Sequence, residues 1–252
     1  MSRARMVEGS AKRMAMASDI GRVRGRNEDS VAGDVDAGWA VVADGMGGHR
    51  GGDVASAIVV REVTRCLAQT IGKTAGDRDR AAAIADAIGE ANRAIIKASN
   101  EDLRLHGMGS TVVLASFAGS VLTIGHVGDS RAYLFRRGAL ERMTVDHSLL
   151  QELVDGGMIS AAEARRAPGR GVLTRSLGVD PKVEAVVASF PVAPGDLLLL
   201  CSDGLTEMVP DAELCEELSR GDDDLGEMTA RLIECANRNG GRDNVSVVLV
   251  AF

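Results

Sequence analysis

Residues 111–135 read TVVLASFAGSVLTIGHVGDSRAYLF. Three apolar runs, Thr111–Phe117, Val121–Val127 and Arg131–Phe135, follow one another with only short breaks. Their length and their Val, Ile and aromatic content predict strands. Gly119-Ser120 marks a hairpin between the first two.

Working outward, long helices precede the strands. Asp53–Gly72 places Ala55, Val59, Val63, Cys66 and Leu67 on one face. Asp79–Leu103 does the same with Ile84, Ile88, Ala91, Ile95 and Ala98. Before them, Ala37–Ala43 reads as a buried strand that ends in an Asp44-Gly45 turn. Downstream come short helices at Ser148–Asp155 and Ser160–Arg166, then strands at Val183–Phe190 and Asp196–Ser202. Helices at Asp211–Ser219 and Asp222–Asn239 and a last strand, Asn244–Phe252, close the chain. Consecutive strands punctuated by helix pairs predict an α+β fold rather than regular βαβα. Two packed sheets with helices outside would bury both sets of apolar stripes.

The chain has 252 residues, 45% of them hydrophobic, enough for a sizeable core. It shows no low-complexity linker and no repeat, so one continuous domain is expected. The net charge of −7 argues against a general grip on nucleic acid and against a polybasic membrane anchor. No stretch of about 18 apolar residues occurs. Cys66, Cys201, Cys215 and Cys235 lack CxxC spacing, which predicts reduced core thiols in a cytoplasmic protein rather than zinc or disulfides. Residues 1–16 have no apolar signal segment and are expected to be a disordered extension or the product of a misassigned start.

Three apolar strands have aspartates at their ends. Val41-Val42-Ala43 runs into Asp44-Gly45, Leu198–Ser202 runs into Asp203-Gly204, and Asp243-Asn244 leads into Val245–Val250. A fourth acidic group is Asn27-Glu28-Asp29. One Asp-Gly is usually just a turn. Several at strand ends can converge carboxylates that repel one another unless protons or cations neutralise them. Oxygen donors without His or Cys favour Mg²⁺ or Mn²⁺. Arg24, three residues before Asn27, is either an ion-pair partner of these acids or a bidentate phosphate ligand. His49 is a surface histidine or, beside a metal cluster, a candidate proton donor.

Competing chemistries are missing. The glycine-rich run 46–52 lacks the Lys-Ser or Lys-Thr of a P-loop, and no Gly-x-Ser-x-Gly or His-Glu-x-x-His occurs. No cysteine has the spacing of a cysteine-phosphatase loop. Asp34-Val35-Asp36 precedes a strand rather than ending one and reads as a loop.

Seven ordered motifs carry a resemblance. They are Ser18-Asp19-Ile20-Gly21-x-x-Arg24-x-x-Asn27-Glu28-Asp29, Val42–His49, Gly107–Thr111, His126–Tyr133, Val172–Gly178, Ser202–Leu205 and Gly241–Val245. In this order and spacing, from Ala17 to Phe252, the sequence resembles the bacterial metal-dependent serine/threonine phosphatases of the PPM family (type 2C). The resemblance implies a four-layer αββα sandwich, two antiparallel sheets flanked by helix pairs, with residues 17–252 as a single catalytic domain. It implies that Asp44 bridges two Mn²⁺ or Mg²⁺ ions, that the Gly45 carbonyl binds one, and that Asp203 and Asp243 complete the second site. Glu28 and Asp29 join the metal shell, and a weaker third metal lies near Asp129 and Asp203. Asp129 is otherwise a turn aspartate. Thr111 is expected to position the shell.

The mechanism implied is in-line attack on phosphorus by a hydroxide bridging the metals, with Arg24 on the phosphate and His49 protonating the leaving oxygen. Phosphoserine and phosphothreonine proteins, a Hanks-type kinase opposed by this enzyme, and a monomeric state complete the expectation. The rivals are hydrolysis of a non-protein phosphoester and a binding-only pseudophosphatase. One stretch departs from the family pattern. Where bacterial members carry His-Pro-x-Arg-Asn, this chain has Ala167-Pro168-Gly169-Arg170-Gly171 in the flap over the cleft.

Overall fold

The computed structural model describes residues 5–8, 12–47, 51–70, 77–220 and 224–252. In chain order the strands and helices begin with β1 (Arg5–Glu8), β2 (Arg13–Asp19), β3 (Asp29–Asp34) and β4 (Trp39–Met46). Two long helices follow, α1 (Gly52–Thr70) and α2 (Asp77–Glu101). Then come β5 (Gly109–Ser110), β6 (Val112–Ala118), β7 (Val121–Val127), β8 (Arg131–Arg136) and β9 (Ala139–Arg142). A flap carries the short helices α3 (Leu149–Asp155) and α4 (Ala161–Ala164). The chain ends with β10 (Val186–Pro191), β11 (Leu197–Cys201), a single helical turn α5 (Asp203–Thr206), α6 (Asp211–Ser219), α7 (Leu225–Arg238) and β12 (Val245–Ala251).

All ladders are antiparallel. One sheet has the order β1-β2-β12-β11-β8-β9; the other runs β10-β7-β6-β4-β3, with β5 continuing the ladder on β4. Side-chain alternation along each strand then makes three cores. In β11, Leu198 and Leu200 face the opposite sheet and meet Ala40, Val42, Val113 and Ala115. Leu199 and Cys201 face outward onto Leu214, Leu232 and Cys235 of α6 and α7. The second sheet turns Val41, Ala43, Val112 and Leu114 outward onto α1 and α2. Those helices meet it through Ala55, Val59, Val63 and Leu67, and through Ile84, Ile88, Ala91 and Ile95, all at helical spacing. The result is the expected αββα sandwich.

Local signals set several boundaries. Gly119 adopts φ +53° at the β6–β7 hairpin, where a Cβ would meet nothing. The side chain of Asp224 caps α7 by accepting from the Gly226 and Glu227 N–H groups. Ser160 and Glu163 form a reciprocal capping box on α4, yet the helix is one turn long, shorter than the expected Ser160–Arg166.

Three expectations are corrected. The fold starts before residue 17, because Arg13–Met16 pair with β12 and Met14, Ala15 and Met16 are buried. Asp44-Gly45 is not a turn: β4 continues to Met46 by exchanging β6 for β5 as its partner. Glycine is needed there because the start of α1 packs on it, and a Cβ on Gly45 would sit 1.9 Å from the Gly52 carbonyl oxygen. The four cysteines are all free, as expected, but only Cys201 and Cys235 are buried. Among the described residues no helix is long and apolar enough to cross a membrane.

Because Leu200 is fully buried between the sheets, Leu200→Ala should lower unfolding free energy by about 2–5 kcal/mol. Val179→Ala, at an exposed position, should change it by less than about 0.5 kcal/mol. Urea denaturation of both variants checks this; equal, small effects would count against the inter-sheet core.

Candidate active site

Pairing of β3 with β4 sets Asp29 opposite Asp44. Residues directly opposite in a ladder point to the same face, so two carboxylates become neighbours. From the facing sheet, β11 delivers Asp203 at the start of α5, and its neighbour β12 is preceded by Asp243. The sheets are tied together here, since the Ser202 hydroxyl donates to Asp29 Oδ2 at 2.8 Å and accepts from the Ser246 N–H at 3.0 Å. Asp44 lies close enough to Asp29 and Asp203 to feel both charges. Four segments distant in sequence thus meet at one edge of the sandwich.

The backbone around these acids is fastened by polar side chains. The Asp44 N–H donates to Thr111 Oγ1, and the Thr111 N–H donates back to the Asp44 carbonyl at 2.8 Å. Thr111 Oγ1 also lies 2.7 Å from Ser130 Oγ. Buried Asn244 holds the loop that carries Arg24 and Glu28. Its amide donates to the Ile20 and Arg26 carbonyls, both at 2.9 Å, and its Oδ1 accepts from the Glu28 N–H at 2.8 Å. Sequence reading identified Thr111 but not the roles of Asn244, Ser202 or Ser130. Their partners lie far away in the chain, so nothing local announces them.

Burial pushes the Asp29 carboxyl up to about 6, against its hydrogen bonds from Ser246 and Ser202. Asp44 is raised well above the usual carboxylate range by burial, then by Asp29, Asp203 and Asp129. Asp203 is raised in the same way, by burial and then by Asp129 and Asp243. Asp129 is raised to about 6 by burial and then by Asp146. Burial and then Asp53 also raise Glu28, whose carboxyl lies against Gly52 at the start of α1. Asp44 and Asp203 keep part of their surface open to the cleft; atoms crowd their other sides.

Arg24 reaches across to Asp243, with Nη2 2.6 Å from Oδ2. Both sides of its sequence reading therefore remain in view: it is an ion-pair partner, and it is a half-exposed guanidinium at the rim of an acidic cleft. His49 lies outside the described residues. No three His, Cys, Asp or Glu side chains form a closed ligand set among the described residues; the Asp29 carboxylate is engaged instead by Ser202 and the Asp243 carboxylate by Arg24. The donor chemistry nonetheless fits a hard divalent cation. All the donors are oxygens, and the buried Oδ1 atoms of Asp29 and Asp203 have no hydrogen-bond partner.

Residues 22–249 match the family described as protein phosphatase 2C. The chain belongs to this family. It is 41% identical over 238 residues to the serine/threonine phosphatase stp of Listeria monocytogenes, covering 92% of this chain and 93% of that protein. The phosphatase 2C fold is also matched by the crystal structure of the Mycobacterium tuberculosis serine/threonine phosphatase PstP/Ppp, with TM-score 0.88 and 38% identity over 96% of this chain and 98% of that one. A structure of the PstP catalytic domain in complex with two manganese ions matches with TM-score 0.84 and 39% identity over 95% and 97% of the two chains.

The raised carboxyls make a linkage testable. The folded, metal-free cluster keeps protons up to about pH 6, whereas an unfolded chain releases them near pH 4. Between those values these groups cost stability as pH rises. A divalent cation competes with the same protons, so its stabilising effect grows with pH. The Mn²⁺-induced rise in Tm should be larger at about pH 7.5 than at about pH 5. A Tm shift independent of pH would argue against cation binding at these carboxylates.

Proposed function

We propose that this chain is a metal-dependent protein phosphatase that hydrolyses phosphoserine and phosphothreonine. The observation that carries the reading is the convergence of Asp29, Asp44 and Asp203 at one sheet edge with partnerless buried oxygens, in a phosphatase 2C chain. The similarity to a manganese-bound PstP domain supports divalent-metal dependence.

Asp44, the Gly45 carbonyl, Asp203 and Asp243 would hold two Mn²⁺ or Mg²⁺ ions, with Glu28 and Asp29 in their shell. Asp129 with Asp203 would hold a weaker third. When bound, such a pair supplies activated water near neutral pH and positive charge opposite the phosphoryl oxygens. The protein's own groups do the rest. Thr111 fixes the Asp44 backbone and Ser202 the Asp29 carboxylate, so the site is rigid before substrate arrives. Arg24, freed from Asp243, turns its planar fork to the phosphate. His49 protonates the departing serine or threonine oxygen, a strong base that leaves slowly without a proton. No protein nucleophile is required: Cys201, the cysteine nearest the cluster in sequence, is fully buried with its thiol pushed up to about 12 by that burial. The wider reading is a cytoplasmic, monomeric enzyme that opposes a Hanks-type kinase.

Activity on a phosphothreonine peptide should vanish in excess chelator and return with Mn²⁺ or Mg²⁺. Asp203→Asn should lose most of kcat yet stay folded, because one repelling charge is gone. An active chelated protein, or a fully active Asp203→Asn, contradicts the assignment. Parallel assays on small-metabolite phosphomonoesters decide whether the substrate is protein.

Arg24 and His49 separate in one kinetic comparison of a phosphothreonine peptide with nitrophenyl phosphate. Arg24→Ala should raise KM for both, with incomplete rescue by Lys, which lacks the fork. His49→Ala should slow the peptide by about 10²–10⁴-fold and the nitrophenyl ester far less, since nitrophenolate leaves unaided. Equal losses on both substrates would return His49 to a structural role, and an unchanged KM would leave Arg24 an ion-pair partner.

A further inference from the structure

The second half of the flap is a basic stretch of an acidic chain, unlike the first half, where α3 carries Glu152 and Asp155. Residues 160–178 contain Arg165, Arg166, Arg170 and Arg175 against a single acid, Glu163, and the Glu163 carboxylate is engaged by the Ser160 N–H and hydroxyl. All four arginines are exposed. None has an ion-pair partner among the described residues, in contrast to Arg22, Arg24, Arg26, Arg93 and Arg104, which are exposed yet paired.

The flap's position gives these charges a use. It is anchored beside the site by bonds from the Leu149 N–H to the Val172 carbonyl and from the Thr174 N–H to the His147 carbonyl, both 2.9 Å. A cavity of roughly 410 Å³ opens between flap and cluster, with Arg165 and Arg170 on one wall and Asp129, Asp203 and Glu207 on the other. Arg131 and Arg142, also on this cavity, are committed to Asp146. Gly169 and Gly171, at φ +90° and +77°, bracket Arg170 in a turn with open space around it. Arg24 stands at the Asp243 side of the cluster and the flap at the Asp129 side. A chain bound across Asp203 therefore meets a positive charge beyond the phosphate.

We propose that the flap arginines select phosphoproteins whose phosphorylated residue is flanked by acidic side chains. This rests on the phosphatase reading and names the substrate class for it. The warrant is charge complementarity at short range. An approaching phosphopeptide is repelled by the acidic rim, and guanidinium groups free of internal partners offset that repulsion only for residues that reach the flap. Pairs in water are weak individually, so several together give discrimination of roughly three- to tenfold rather than a switch.

The test measures kcat/KM with Mn²⁺ for one phosphothreonine core flanked, on either side, by acidic, neutral or basic residues. Nitrophenyl phosphate reports the chemistry alone. The wild type should favour the acidic peptide over the neutral one by roughly three- to tenfold, and the preference should shrink as salt rises. Arg165→Glu combined with Arg170→Glu should invert the order, while the corresponding Lys variants keep it; circular dichroism checks that each variant is folded. Equal kcat/KM for all peptides, or a preference that survives charge reversal, overturns the proposal while leaving the phosphatase reading intact. Absence of turnover on every substrate, nitrophenyl phosphate included, overturns both. Charge-dependent binding to phosphatidylserine vesicles without any peptide preference would also overturn it, by assigning the flap to a membrane.

Discussion

Like charges are forced together at the edge of this sandwich. Asp29 and Asp44 face each other across one ladder, and Asp44 reaches Asp203 from the other sheet. Buried carboxylates so close cannot all remain ionised without protons or cations. The rest of the structure can be read as what holds this unfavourable arrangement in place. The inter-sheet core of Leu198, Leu200, Val42 and Val113 fixes the separation of the two sheets. Close packing makes that separation hard to change, because interiors have few voids into which strands can shift.

Polar fastening does the finer work. Ser202 joins the sheets at Asp29, Thr111 grips the backbone of Asp44, and Asn244 satisfies three backbone groups of the loop bearing Arg24 and Glu28. The cluster is therefore rigid at its base and open toward the cleft. Charge neutralisation is left to what binds there. Arg24 takes part of that task through its ion pair with Asp243. Beyond the rim, the flap supplies positive charge that the cluster does not consume.

Much of this was legible in the sequence because the pattern is strong where burial is strong. Residues 121–127 and 211–219 form their elements with the expected bounds, and the helix stripes of α1 and α2 face the sheet as their spacing predicts. Strand β3 was not legible: DSVAGD offers only Val31 and Ala32 as apolar residues, and its partner β4 determines its conformation. Short β9 escaped for similar reasons, and a first strand was expected before Asn27 but not its start at Arg13, because Lys12 and Arg13 disguise the buried run Met14–Ala17. Asp44-Gly45 looked like a turn since that dipeptide usually is one, whereas here glycine answers the close approach of α1. The acids were identified individually, but the Asp29–Asp44 pairing and the Asn244 staple join residues whose separation in the chain hides them.

The central claim is that the carboxylates at the sheet edge are a divalent-cation site. Anomalous diffraction at the manganese edge, from crystals grown with Mn²⁺, tests it most directly. The expected result is manganese at the Asp44, Asp203 and Asp243 carboxylates, with Arg24 displaced from Asp243. Manganese absent from that edge, with the Arg24–Asp243 pair intact at saturating Mn²⁺, would contradict it.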